Sequence, residues 1–212
     1  KKHAIALLVL ASVSVHGLAA VGADEAKELG RSLTKYGAIK AGNKEGTIPE
    51  YTGGLTKAPA DFKPKSGFWA DPFKDEKAVL RIDGKNVDQY ADKLSEGQKT
   101  LLKKYPTYYM DVYPSHRTAA IPAKVLDATV RNATTCKTLK NGLAVEADCR
   151  GGLPFPIPKT GYEVMWNLQL RYKADTTTKS SRSWVVDSSG KAVMTAQQQT
   201  LEETPYYHAD LD

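Results

Sequence analysis

The sequence predicts an α+β fold in which short helices and a β-hairpin follow an extended Gly/Pro-rich arm. Three observations predict it. Residues 20 to 83 show little periodicity but dense punctuation by glycine and proline. Ser95 with Gln98 and Thr160 with Glu163 have the spacing of helix-capping boxes. Two β-prone runs, Trp184-Val185-Val186 and Ala192-Val193-Met194, flank Asp187-Ser188-Ser189-Gly190, a turn sequence.

The chain opens on a targeting pattern. Lys1 and Lys2 precede an apolar run, Ala4 to Val15, broken only by Ser12 and Ser14, and Gly17-Leu18-Ala19 supplies small residues for cleavage. That order of charge, apolar run and small residues predicts a signal peptide over residues 1–19, with Ala20 as the mature start. The run is too short for the roughly 20 apolar residues a spanning helix needs. The residue directly after the cleavage point is Ala20 and not cysteine, which argues against a lipid-anchored end. Export from the cytoplasm is therefore the expectation.

Cleavage would remove two lysines and no acid, lowering the formal charge from +6 to +4 (6 − 2 = 4). Lys99, Lys103 and Lys104 form the densest basic patch, on a predicted short helix with Glu96. In an exported chain this reads as a solvated helix face and not as a nucleic-acid surface, while weak attraction to anionic headgroups stays open. Cys136 and Cys149 are the two cysteines. In an exported chain they predict a disulfide that adds about 3 kcal/mol through the chain entropy of its short loop.

Along the arm, Asp24 to Leu29 predicts a short helix stopped by Gly30. Beyond it, Tyr51, Phe62, Phe68, Trp69 and Phe73 are more aromatics than a disordered linker keeps, so the arm is expected to pack them against a body. Asn86 with Gln89 has capping spacing too, although a strict capping box wants Ser or Thr at the cap. Residues 105–114 suit an extended segment, and Pro122 suits the first turn of a helix through Val125, Leu126 and Val130. A short strand is expected from Leu143 to Cys149.

Residues 151–173 carry the clearest pattern. Pro154, Pro156 and Pro158 alternate, so an extended backbone there lacks N–H donors along one side and must be an edge strand or a wrapping segment. Leu153, Phe155 and Ile157 would then share a face. In the helix after Thr160, Glu163, Asn167 and Arg171 recur as one polar stripe, and most of the remaining circumference is apolar. A helix so apolar is expected to be mostly buried or to line a greasy cavity.

Catalytic chemistry is not predicted. Phosphate loops, nucleophile elbows and metalloprotease motifs are absent from the sequence. Asp111, Ser115 and His116 have the residue types of a triad, but near neighbours in sequence seldom face one another as a triad requires. His208, Asp210 and Asp212 alternate and could share a strand face; a solvated acidic end is preferred to a metal site.

The motifs GTIPEYTGGL (46–55), DPF (71–73), DQYADKLSEGQ (88–98), YPTYYMDVYPSHRTA (105–119), GGLPFPIPKTGYEVMWN (151–167) and WVVDSSGKAV (184–193) together resemble one family. It is a bacterial family of exported proteins of unknown function, grouped with the LolA/LolB-like lipoprotein-carrier superfamily. The resemblance implies an incomplete antiparallel β-barrel with helices packed in its concave face, around an apolar cavity. Members run past the length of this chain, which implies a fragment: signal peptide 1–19, extended arm 20–120 and the start of a half-barrel at 121–212. It also implies a periplasmic, non-enzymatic carrier or chaperone for a lipid or other hydrophobic molecule, without cofactor or metal. Met165, Trp166 and Leu168 are then the candidate cavity wall. The family's gene neighbourhoods imply an RND-type inner-membrane exporter and an outer-membrane protein as partners, so the rival expectation is an exporter adaptor that binds no lipid. A secreted hydrolase stands third.

Overall fold

A computed structural model describes residues 21–208. The predicted signal peptide, Asp210 and Asp212 lie outside the described residues. The chain forms two compact units: one combines the described residues up to Ile39 with those from Ile121 onward, and the other is Lys40–Ala120.

The Lys40–Ala120 unit is built on a two-stranded antiparallel ribbon, β1 (Leu80–Asp83) against β2 (Tyr109–Val112), with Ile82 opposite Met110. Helix α2 (Glu96–Lys104) starts at the predicted capping box: the Ser95 side chain accepts the Gln98 N–H and the Gln98 side chain accepts the Ser95 N–H. Its Leu102 is fully buried and meets Ile82 and Val87, with Met110 and Val112 packed around them. A side chain at Gly84 would collide with the Leu102 carbonyl, so glycine there lets the helix approach the ribbon. The Asn86–Gln89 box does not form. Asn86 instead accepts the Asp83 N–H and donates to the Arg81 carbonyl, bracing the turn before a 3-10 segment, Val87–Lys93. Short-range turn geometry outcompetes the capping role for an asparagine.

The arm partly fulfils its expectation. The Tyr51 hydroxyl donates to the Ala119 carbonyl at 2.7 Å, the Leu55 N–H to the Thr118 carbonyl at 2.9 Å, and Phe73 stacks on His116 at 3.8 Å. Gly54, at φ +76°, lies where any side chain would strike the Ala119 carbonyl. Phe68 and Trp69 depart from expectation: they are 83% and 91% exposed. Phe62 stacks on the Trp69 ring, with 6.1 Å between centroids.

In the second unit, α3 (Ala123–Thr135) follows Pro122 and buries Val125, Ala128, Thr129, Asn132 and Ala133, an i, i+3, i+4 stripe. The short α1 (Ala23–Ala26) lies against it, ending before the predicted Leu29. Cys136, just past α3, is disulfide-bonded to Cys149 with Cα atoms 5.0 Å apart, as expected. Between them only Thr138–Leu139 (β3) and Ala144–Val145 (β4) pair, so the strand expected from Leu143 to Cys149 shrinks to two residues. The predicted hairpin is longer than its apolar core: β5 (Thr176–Val186) pairs with β6 (Ala192–Glu203) in antiparallel register, with Trp184 opposite Met194 and Val185 opposite Val193. Among the described residues the sheets are three separate two-stranded ones, and no closed barrel is present. The fold is mixed helix and sheet with short antiparallel strands.

Leu102→Ala should cost about 2–5 kcal/mol because it opens a cavity in the smaller unit. Leu101→Ala, at a position 41% exposed, should cost under about 0.5 kcal/mol. Hydrogen exchange at β1 and β2 amides distinguishes the two. A second expectation concerns pH. Hydrogen bonds from Arg81, at 2.6 and 2.8 Å, hold the Asp111 carboxyl below its ordinary value. With its folded value lowered, its contribution to stability is complete above about pH 4 and is lost as pH falls through that lower value. Asp111→Asn should therefore lower the melting temperature at pH 7 and have a fading effect in acid.

Candidate functional site

Helix α4 (Gly161–Gln169) carries the candidate cavity residues, and its position follows from the proline-rich segment before it. With prolines at 154, 156 and 158, few N–H groups remain there to satisfy. The Leu153 N–H goes to the Thr129 hydroxyl at 2.8 Å and the Phe155 N–H to the Asn167 side-chain oxygen at 3.0 Å. The Asn167 amide returns a bond to the Phe155 carbonyl at 2.7 Å, and Asn132 donates to the Gly152 and Leu153 carbonyls. A buried backbone without strand partners is stable only if its polar groups are matched in this way. Leu153, Pro154, Phe155 and Pro156 are accordingly buried, in a wrapping segment and not an edge strand. Gly152 packs directly on the α3 backbone, where any side chain would collide with Thr129.

The orientation of α4 corrects one expectation. Its inward face carries Glu163 and Asn167 of the polar stripe, not the apolar majority, while Arg171 lies past the helix end and is exposed. Glu163 is 3% exposed, its carboxylate accepting the Lys159 and Thr160 N–H groups while its own N–H donates to the Thr160 hydroxyl. Asn167 clamps Phe155, as above. Trp166 lies between them at i+3 from Glu163, half-buried against the disulfide and Phe155, and its indole N–H donates to the Gly142 carbonyl at 2.8 Å. Tyr162 lies across Gly142, whose φ of +92° and lack of a side chain make room for the ring.

Val164, Met165 and Leu168 point away, and Tyr162 keeps half of its surface exposed beside Gly142. Tyr162, Val164, Met165 and Leu168 are each about half exposed, at 52–53%. Hydrogen bonding to the backbone by Glu163, Trp166 and Asn167 outweighs the burial of these side chains and sets the rotation of the helix. Met165 and Leu168 therefore form an open apolar face, and Trp166 sits between that face and the core. A recess beside Phe155, Pro156, Ile157 and Glu163 measures about 10 Å³, room for one water and not for an acyl chain.

Two phenols, Tyr206 half-buried and Tyr207 buried, brace the segment and the end of α4. Tyr206 donates to the Gly152 carbonyl at 2.7 Å and Tyr207 to the Leu170 carbonyl. Burial pushes both phenols well above the ordinary tyrosine value. Neither residue stood out in the sequence, and neither did Thr129 or Asn132. The clue available was Asn167 within a helix stripe, a residue type that competes for backbone groups.

The remaining sequence candidates do not converge. Asp111 is engaged by Arg81, whereas the His116 ring nitrogen meets Glu76 at 2.9 Å, so no triad forms with Ser115. His208 lies 3.6 Å from Glu203, and its proposed partners Asp210 and Asp212 are outside the described residues. Among the described residues no group of three or more His, Cys, Asp or Glu could hold a metal ion. No helix among them is long and apolar enough to cross a membrane.

Trp166→Ala should cost about 3 kcal/mol or more in chemical denaturation, and Trp166→Phe about 1 kcal/mol for the lost hydrogen bond. Met165→Ala and Leu168→Ala should each stay below about 1 kcal/mol. Equal losses at all three positions would contradict the outward orientation of Met165 and Leu168.

A family described as "Protein of unknown function (DUF1329)" matches residues 81–212. The chain is 44% identical over 174 residues to "Uncharacterized protein PA3922" of Pseudomonas aeruginosa, a match covering 82% of this chain and 38% of the relative. The chain thus spans under half the length of that curated relative. No solved structure matches it. With matching residues running from β1 through the capped α4 to the hairpin, the chain belongs to the DUF1329 family of proteins of unknown function.

Proposed function

We propose that the protein is a periplasmic carrier or chaperone for a lipid or another hydrophobic molecule, linked to envelope transport and acting without enzymatic chemistry. The observation that carries this reading is the outward apolar face of α4. Tyr162, Val164, Met165 and Leu168 are held about half exposed by a helix whose inward face is fastened by hydrogen bonds. A helix that presents apolar side chains while burying a glutamate is built to offer them to something. The hairpin in the same unit does likewise, with Trp184, Val185, Val186 and Met194 all 47–66% exposed.

In this reading β5 and β6 are two strands of an incomplete antiparallel barrel of the LolA/LolB-like kind, with α4 among the helices on its concave side. Met165 and Leu168 would touch the ligand, and Trp166 would link that contact to the disulfide-bonded core. Affinity would come from covering apolar surface, at about 25 cal/mol per Å². Cleavage of a signal peptide at Ala20 would place the protein in the periplasm, beside an RND-type exporter and an outer-membrane protein.

The test is mass spectrometry of lipids extracted from the full-length protein purified from periplasm. Co-purified lipid is expected, and Met165→Glu with Leu168→Glu should reduce it at least tenfold while moving the melting temperature little. A protein that carries no lipid would put the exporter-adaptor role in its place.

A further inference from the structure

We propose that the loop from Phe62 to Trp69 is a docking tip for an anionic phospholipid surface. Phe68 and Trp69 are adjacent and 83% and 91% exposed, the two most exposed aromatic side chains described. Their presentation is built into the backbone. The Ser66 N–H donates to the Lys63 carbonyl at 3.3 Å, closing a turn with Pro64 at its second position and Lys65, at φ +64°, at its third. Those are the requirements of a type II turn. The Ser66 hydroxyl then accepts the Phe68 N–H at 3.3 Å and donates to the Phe68 carbonyl at 3.0 Å. Phe62 stacks against Trp69 from the near side, 6.1 Å between centroids and 14° between planes.

Charge chooses the partner. Between Phe62 and Trp69 the sequence has two lysines, Lys63 and Lys65, and no acid. Both are exposed, and neither has a carboxylate partner among the described residues. The flanking acids are occupied: Asp61 holds Lys74 at 2.9 Å, and the Asp71 carboxylate accepts the Phe73 N–H at 2.8 Å. Beyond Asp71 the chain is held by the Phe73–His116 stack. Exposed aromatic residues beside unpaired lysines match the layering of a membrane interface, with rings at headgroup depth and ammonium groups at the phosphates. A protein partner wants a broad complementary patch, which two adjacent aromatic residues do not offer. The preformed turn reduces the ordering cost of docking.

This inference is independent of the carried ligand, because the tip and the α4 face belong to different units. The experiment is flotation of the purified protein with vesicles of phosphatidylethanolamine and phosphatidylglycerol (3:1), or of phosphatidylcholine alone. Binding to the anionic vesicles is expected, at least tenfold weaker to phosphatidylcholine and weakened by salt. Phe68→Ala with Trp69→Ala should lose at least tenfold. Lys63→Gln with Lys65→Gln should lose roughly twenty-five-fold, at about fivefold per lysine. Brominated phosphatidylglycerol should quench part of the parent's indole emission, and that part should be missing in Trp69→Phe. Failure of the parent to float, loop variants that bind like the parent, or an unquenched Trp69 would each overturn the proposal. Capture of the parent by another protein through Phe68 and Trp69, without vesicle binding, would overturn it in favour of a protein partner.

Discussion

The interaction on which the larger unit depends is the matching of backbone polar groups in residues 152–156 by side chains from two helices. This segment is buried yet belongs to no sheet. Proline removes donors at alternate positions. Thr129 and Asn167 take the N–H groups of Leu153 and Phe155, and Asn132, Asn167 and Tyr206 supply donors to the carbonyls. Each match is worth little in net stability, but an unmatched buried group costs about 1–3 kcal/mol. Five such matches therefore determine where α3, α4 and the Tyr206 turn can sit.

That constraint explains why α4 exposes its apolar majority. A helix surface has one rotation about its axis to choose, and here Asn167 and Glu163 choose it. Asn167 makes a two-point contact with Phe155, as a neighbouring strand would, and Glu163 closes the cap before it enters the core. Trp166 is the apolar residue on the same side and joins the disulfide cluster. Function, on the proposed reading, resides in the residues that rotation leaves outside.

The smaller unit shows a different balance. Its ribbon and α2 share a compact apolar centre at Ile82, Val87 and Leu102. Its arm is held by isolated contacts: a tyrosine hydroxyl, one backbone bond to Thr118 and the stack of Phe73 on His116. Such contacts fix a path for the chain without covering its surface, which is why a tight turn can hold two bare aromatic rings in water.

Local sequence determined the capping boxes at Ser95 and Thr160, the Pro122 helix start, the hairpin turn at Asp187–Gly190 and the pairing of the two cysteines. Each depends on atoms a few residues apart or on a choice without alternatives. Asp187 illustrates the point: its carboxylate accepts the Ser189 and Lys191 N–H groups within its own turn. Sequence also showed that residues 154–158 lack donors along one side, leaving edge strand or wrapping segment open. Only the tertiary structure decided between them, because the answer lay in Thr129 and Asn167, which are remote in the chain. The same holds for Asn86, taken over by its turn, and for Phe68 and Trp69, left largely exposed. Apolar periodicity reports which residues could be buried; the hydrogen-bond demands of a distant backbone determined that Glu163 went in and Met165 stayed out.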